Sequence, residues 1–243
     1  MKLTIFIACF NEKDTISEAI RQAQGLDIDK EIIVVDNCST DGTRQILADL
    51  KDKDLRMVLQ PENYGVGRSV NVGIDMAKGD YFYGPGADLE YKMDDVYPML
   101  DMIQSLHLDA VFGSRLAAKA GISKIDIIKE RPYALATIVT TYLINKWYKR
   151  NFTDIIAPKL IKTEILKKLN VQADNQAFEF ELVSRLCKAG CKIGEVPVYY
   201  KPRSAKEGKT IKPLDILPAL TAMFKVRFSP LEKKILDPEP AKE

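Results

Sequence analysis

The chain has 243 residues, 46% of them hydrophobic and 29% charged, with a formal net charge of +2 at pH 7. That composition supports one sizeable core and excludes a disordered or low-complexity polymer. No apolar run reaches the roughly 18 to 20 residues that span a bilayer, and the N-terminus lacks a basic-then-apolar leader, so a cytoplasmic protein is expected.

In chain order, Leu3–Cys9 is a continuous apolar run of the buried-strand type, and Thr15–Gln24 has the spacing of an amphipathic helix. Glu31–Asp36 predicts a second strand, Thr40–Leu50 a helix and Leu55–Gln60 a third strand. A helix from about Val66 to Lys78, a strand Tyr81–Gly84, a helix Asp94–Ser105 and a strand Ala110–Gly113 follow. This alternation implies an α/β fold whose central sheet is mostly parallel, with helices on both faces. Ligands of such sheets gather at the carboxyl ends of the strands. The polar clusters fall there: Phe10-Asn11-Glu12 after the first strand, Asp36-Asn37 after the second and Asp88 after the fourth.

Around Asp88 the run Tyr81–Tyr83 ends in the turn Gly84-Pro85-Gly86-Ala87, then Asp88 and Glu90 stand two residues apart. Extended backbone places both acids on one face, a geometry suited to Mg²⁺ or Mn²⁺ bridging phosphate oxygens.

Past this point the charge changes sign. Residues 1–110 carry 11 Lys or Arg and 20 Asp or Glu, a net −9, whereas residues 111–243 carry 25 and 14, a net +11. An acidic half suits metal and sugar-hydroxyl contacts, and a basic half suits an anionic acceptor or surface. Nucleic acid is disfavoured, because the basic residues are not interleaved with aromatics in a known module. Ala134–Arg150 is apolar, then aromatic, then basic, the pattern of an amphipathic interfacial helix at an anionic membrane. Ile211–Phe228 is a second such candidate, with Lys209, Lys212, Lys225 and Arg227 toward headgroups. Core packing or a homodimer contact is the plain alternative for both. The polar end after Leu236, with Pro238 and Pro240, is expected to fray. Cys9, Cys38, Cys187 and Cys191 and the single His107 have no zinc-site spacing, so buried thiols and a surface histidine are expected.

Several short segments carry a resemblance in their order and spacing: Ile7-Ala8-Cys9-Phe10-Asn11-Glu12, Val34 to Thr43, Asn63-Tyr64-Gly65-Val66-Gly67-Arg68 with Asn71-Val72-Gly73, and Gly79-Asp80-Tyr81. Val111-Phe112-Gly113-Ser114-Arg115, Phe178-Glu179-Phe180-Glu181, Glu195-Val196-Pro197-Val198 and Tyr200-Lys201-Pro202-Arg203-Ser204 continue it. Over about residues 3 to 228 the chain resembles family 2 glycosyltransferases of the GT-A fold, and among them the polyprenyl-phosphate (dolichyl-phosphate) mannose or glucose synthases. The resemblance implies a single GT-A, Rossmann-like domain over 1–228, with a nucleotide-binding half (1–113), an acceptor half (114–228) and a tail (229–243). Two departures stand out: Ala8 occupies a position where proline is usual, and Gly86 replaces the first acid of the metal motif.

The resemblance further implies nucleotide contacts by Ala8, Phe10, Asn11, Glu12, Asp36, Asn37, Ser39, Gly65, Gly67, Arg68, Ala87 and Asp88. It implies metal ligation by Asp88 and Glu90, acceptor-phosphate contacts by Arg115, Arg131, Lys159 and Arg203, and catalytic roles for Asp88, Arg115 and Asp154. The plain alternatives are that Asp36 caps the next helix, as Ser39 or Thr40 would, that Glu12 belongs to a helix N-terminal turn, that Gly65 and Gly67 only ease a turn, and that Arg115 forms a structural ion pair. The activity implied is inverting transfer of a hexose from a UDP- or GDP-sugar to a polyprenyl phosphate, which is already ionised and needs no base. A hydroxyl acceptor would instead require a base, for which Asp154 is the candidate. Gly86 leaves open a nucleotide-sugar-binding protein with impaired transfer.

Overall fold

In a computed structural model that describes residues 1–50, 55–117, 134–203 and 216–230, the strands are β1 (Leu3–Cys9), β2 (Lys30–Asp36), β3 (Leu55–Leu59), β4 (Tyr81–Tyr83), β5 (Ala110–Ser114), β6 (Lys159–Lys162) and β7 (Ile193–Pro197). The helices are α1 (Ile16–Gly25), α2 (Thr43–Asp49), α3 (Val66–Met76), α4 (Val96–Ser105), α5 (Ala134–Tyr148), α6 (Thr163–Leu169), α7 (Phe178–Lys188) and α8 (Ile216–Phe228). A 3₁₀ turn, Met93–Asp95, precedes α4. Arg131, Lys209, Lys212 and the chain after 230 lie outside the described residues.

The sheet order is β3-β2-β1-β4-β6-β5-β7. β1 is central and pairs in parallel with β2 (Leu3 opposite Lys30) and with β4 (Leu3 opposite Tyr81). Among the described strands only β6 runs antiparallel, lying between β4 (Tyr83 opposite Leu160) and β5 (Phe112 opposite Lys159). The mostly parallel α/β sheet expected from the sequence is therefore present.

Alternate residues of β1 serve two cores. Leu3, Ile5, Ile7 and Cys9 face α1 and α4, packing with Ile16, Ile20, Val96 and Met99. Phe6 turns to the other face, with Ile74 of α3, Phe178 and Leu182 of α7, Ile144 of α5 and Met223 of α8. A strand covered on both faces is apolar throughout, which is why β1 and β2 read as uninterrupted hydrophobic runs. Each such side chain removed from water contributes about 1.5–3 kcal/mol.

This topology positions the site. The carboxyl ends of β1, β2, β4 and β5 share one edge of the sheet, and β6, being antiparallel, brings its first residue, Lys159, to that edge as well.

Helix α5 is less one-sided than the sequence pattern suggests. Thr140, Thr141 and Ile144 are buried, yet Leu135, Val139 and Tyr142 on the outer side are exposed, so apolar side chains occupy both faces. Thr140 hides its hydroxyl by donating to the Ala136 carbonyl at 2.8 Å. On α8, Ala219, Met223 and Val226 are buried and Leu217, Phe224 and Phe228 exposed. Trp147 meets Phe224 edge-on at 4.9 Å, joining the two helices. Among the described residues no helix is long and apolar enough to cross a membrane. Cys9, Cys187 and Cys191 are buried as expected, whereas Cys38, in a left-handed turn (φ 66°), is half-buried. His107 is exposed, as expected.

Candidate functional site

Three strand-end loops are sewn into one rim by asparagine side chains. The Asn11 N–H donates to Ser39 Oγ at 2.8 Å, and Asn11 Oδ1 accepts from the Thr40 N–H at 2.8 Å. Asn11 has φ 57°, a left-handed conformation that asparagine tolerates better than most residues. Asn37 Nδ2 donates to Asn63 Oδ1 at 2.8 Å, while Asn37 Oδ1 accepts from the Tyr64 N–H at 3.0 Å. Phe10 and Tyr64 stand on this rim 45% and 44% exposed, large apolar surfaces left to solvent where a planar base could lie. Arg68 is exposed at the start of α3, with no ion pair among the described residues. Ala8 lines a cavity beneath the rim.

Three residues expected at the nucleotide, Asp36, Gly65 and Gly67, serve loop support in this structure. The Asp36 carboxylate is fully buried, accepting from the Ser39 N–H at 3.1 Å and from Arg44 Nε at 2.7 Å. Arg44 also reaches the Gln60 carbonyl. Asp36 thus braces the loop after β2 from below, with no accessible oxygen to offer a base or ribose. Gly65 and Gly67 are small because the 173–175 backbone passes over them: a Cβ at Gly67 would fall 2.1 Å from the Ala173 carbonyl oxygen, and one at Gly65 2.2 Å from that of Asp174. The Gly67 N–H donates to the Asp174 carbonyl at 2.8 Å, so this helix start is already capped.

At the end of β4 the acids are closed on a guanidinium. Arg203 Nη1 and Nη2 donate to Glu12 Oε2 and Oε1, each at 3.0 Å, and Nη2 reaches Asp88 Oδ2 at 3.4 Å. The Glu90 N–H donates to Asp88 Oδ1 at 3.2 Å, and Glu90 Oε1 accepts from the Arg203 N–H at 2.9 Å. Burial and the neighbouring Glu90 raise the Asp88 pKa above the usual aspartate value, against the pull of Arg203. Ala87 is buried behind them. Among the described residues no group of three His, Cys, Asp or Glu side chains is placed to hold a metal ion; with Arg203 on Asp88, this loop offers at most the one or two carboxylates that an ion carrying its own phosphate ligands needs.

Gly86 explains part of this. It has φ +86°, a backbone conformation that an aspartate adopts only with strain. Gly86→Asp is therefore expected to lower stability by on the order of 1 kcal/mol without tightening Mn²⁺ binding, as read by thermal unfolding and calorimetry. A stable variant with tighter Mn²⁺ binding would show that the missing carboxylate, and not the turn, is the relevant change.

The basic side is likewise paired. Arg115 donates through Nε to Asp154 Oδ2 at 2.6 Å and through Nη2 to Oδ1 at 3.0 Å. Burial opposes ionisation of Asp154, but the Arg115 guanidinium and the Ile156 and Arg115 N–H groups outweigh it and hold the carboxyl below its ordinary range. Glu195 fixes the same loop, accepting from the N–H groups of Thr153 and Asp154 at 2.9 and 3.0 Å. Sealed and with both oxygens already bonded, Asp154 is poorly placed to take a proton from an incoming hydroxyl. Lys159 donates to Glu179 Oε2 at 2.6 Å and to the Ala157 carbonyl at 3.0 Å. Arg115, Lys159 and Arg203 thus each hold a carboxylate already, and contact with an acceptor phosphate would require exchange of partners. Between the two sides lies a cavity of about 210 Å³, lined by Phe6, Ala8, Val66, Gly86, Lys159 and Glu179 among others.

Residues missed at the sequence level are mostly partners of predicted ones: Arg44, Asn63, Asp174 and Glu179. Asn63 and Glu179 stood inside segments already singled out, but nothing local in those segments says what they touch.

This arrangement has recognisable relatives. The model of the family described as Glycosyl transferase family 2 matches residues 4–169. A low-salt glycan biosynthesis hexosyltransferase of Haloferax volcanii is 22% identical over 208 residues, covering 84% of this chain and 49% of the relative. A poly-beta-1,6-N-acetyl-D-glucosamine synthase of Staphylococcus aureus is 33% identical over 132 residues, covering 52% of this chain and 32% of the relative. The chain thus spans between about a third and a half of the length of these relatives. Among solved structures, Staphylococcus aureus TarS in complex with UDP-GlcNAc superposes with a TM-score of 0.62 at 18% identity, covering 96% of this chain and 68% of that one. Glucosyl-3-phosphoglycerate synthase from Mycobacterium tuberculosis, solved with Mn²⁺, UDP-glucose and phosphoglyceric acid, gives 0.61 at 16% identity, covering 95% and 81%. With the family match covering well over half of its length and the same sheet beneath its strand-end site, the chain belongs to glycosyl transferase family 2.

Proposed function

We propose that this chain is an inverting glycosyltransferase that takes a hexose from a UDP- or GDP-sugar held along the strand-end rim and passes it to a polyprenyl phosphate at an anionic membrane surface. UDP-sugars accompany TarS and the mycobacterial synthase in their solved structures, which supports the donor class. The observation that carries the acceptor is the exposed face of α5 and α8. Leu135, Tyr142, Leu217, Phe224 and Phe228 are 45–74% exposed there, with Lys146, Lys149, Lys225 and Arg227 on the same two helices and their ends. Apolar and aromatic side chains edged by cations suit the headgroup boundary of an anionic bilayer. The enclosure of Asp154 agrees with this choice, because an ionised phosphate oxygen attacks without a base whereas a hydroxyl needs one.

Vesicle flotation and an acceptor comparison test the proposal together. Binding is expected to require anionic lipid and to fall with salt; Lys146→Gln and Lys225→Gln should each weaken it by about 1 kcal/mol, roughly five-fold. Sugar transfer should proceed to the polyprenyl phosphate and fail with the corresponding alcohol. Equal binding to neutral vesicles, together with efficient transfer to the alcohol, would return the reading to a hydroxyl acceptor.

A further inference from the structure

Arg203 ends a segment strapped along the turn after β4. The Tyr199 N–H donates to Asp95 Oδ2 at 3.1 Å, the Lys201 N–H to the Glu90 carbonyl at 2.8 Å and the Arg203 N–H to Glu90 Oε1 at 2.9 Å. Tyr200 packs against Tyr91 at 5.3 Å, beneath the Arg115 guanidinium at 5.2 Å. The strap delivers the Arg203 guanidinium into two carboxylates, Glu12 and Asp88, in the loops that follow the neighbouring strands β1 and β4. Its Nε is buried without a partner among the described residues.

We propose that Arg203 is a resident competitor for divalent cations: tethered in place, it occupies Glu12 and Asp88, and a metal ion gains those carboxylates only by displacing it. A fork–fork guanidinium–carboxylate pair is among the stronger charge-assisted contacts. Being part of the same chain, its effective concentration is of millimolar order, comparable to or above that of a free ion in solution. A bare divalent ion therefore competes poorly. An ion delivered with a nucleoside diphosphate brings its own phosphate ligands and needs only one or two protein carboxylates. Displacement would release the Arg203 charge beside the donor, which makes it available to an anionic acceptor only after the donor has bound. This last step rests on the nucleotide-sugar reading; the competition itself does not.

The test is a Mn²⁺ titration of the full chain, followed by electron paramagnetic resonance without nucleotide, for wild type, Arg203→Gln and Arg203→Lys. Wild type should bind weakly, Arg203→Gln at least ten-fold more tightly, and Arg203→Lys in between, because an ammonium cannot make the forked contact. Mn²⁺ should also raise the unfolding temperature of Arg203→Gln more than that of wild type. If Arg203→Gln does not fold, the comparison of Arg203→Lys with wild type decides. Variants that bind Mn²⁺ no more tightly than wild type overturn the proposal. A parallel titration with UDP and GDP separates the two readings: failure of any form to bind either nucleotide removes the donor assignment, while the Mn²⁺ series still decides the competition.

Discussion

Asp154→Ala is expected to lower the unfolding free energy by about 3–5 kcal/mol, because it strands the largely buried Arg115 guanidinium without its carboxylate. The side chain it removes is fully buried, bonded three times by Arg115 (twice through the guanidinium and once through its N–H) and once by the Ile156 N–H at 3.0 Å. Arg115→Ala should cost a similar amount, since it leaves an unpaired carboxylate with no route to water. The double variant Arg115→Met/Asp154→Leu should be far less damaging than the sum of the singles, because it removes both charges together. Urea unfolding of the four proteins measures this directly. Near-wild-type stability of the single variants with transfer abolished would mean that the pair acts on the substrate rather than on the fold.

The same pair sets a pH dependence of definite sign. The folded Asp154 carboxyl lies below its unfolded value. Its stabilisation is therefore fully present above the unfolded aspartate pKa of about 3.9 and is lost as pH falls through the lower folded value. Acid unfolding of wild type should show this loss, and the double apolar variant should lack it.

Gly67→Ala is expected to destabilise the protein by about 1–3 kcal/mol, opposite in sign to what helix propensity predicts. Alanine within a helix is ordinarily better than glycine by about 1 kcal/mol. Here the added methyl would lie 2.1 Å from the Ala173 oxygen and 2.8 Å from the Asp174 carbonyl carbon, backbone atoms that cannot swing aside as a side-chain tip would. The 173–175 segment must retreat, and with it the Gly67 N–H to Asp174 hydrogen bond. Thermal unfolding checks the sign. A neutral or stabilising result would show that the gap over Gly67 is open and would revive direct approach of a nucleotide to this backbone.

These two cases mark where local sequence stops being informative. The elements of the first 113 residues were legible because apolar period and strand-end polarity are carried within each segment. Leu3–Cys9 and Lys30–Asp36 are buried on both faces and so read as continuous hydrophobic runs. Asn11 and Asn37 stood out for the same reason, each within two residues of a strand end. Their partners did not, since Asn11 reaches Ser39 and Thr40 and Asn37 reaches Asn63 across loops whose mutual approach no local pattern encodes. Asp36 shows the same limit: its position at a strand end was predictable, its burial under Arg44 was not.

By itself, then, the sequence determined the alternation of strands and helices, the edge of the sheet where polar groups collect and the change from an acidic to a basic half. Tertiary structure alone decided that β6 enters antiparallel between β4 and β5, which carries Lys159 to the site, and that Arg203 crosses 191 residues of chain to close on Glu12. It also decided that Asp154 is spent on Arg115. Burial period is a property of neighbours along the chain, whereas the pairing of charges is settled by which elements the packed core brings together, and a buried charge takes whatever partner that packing supplies.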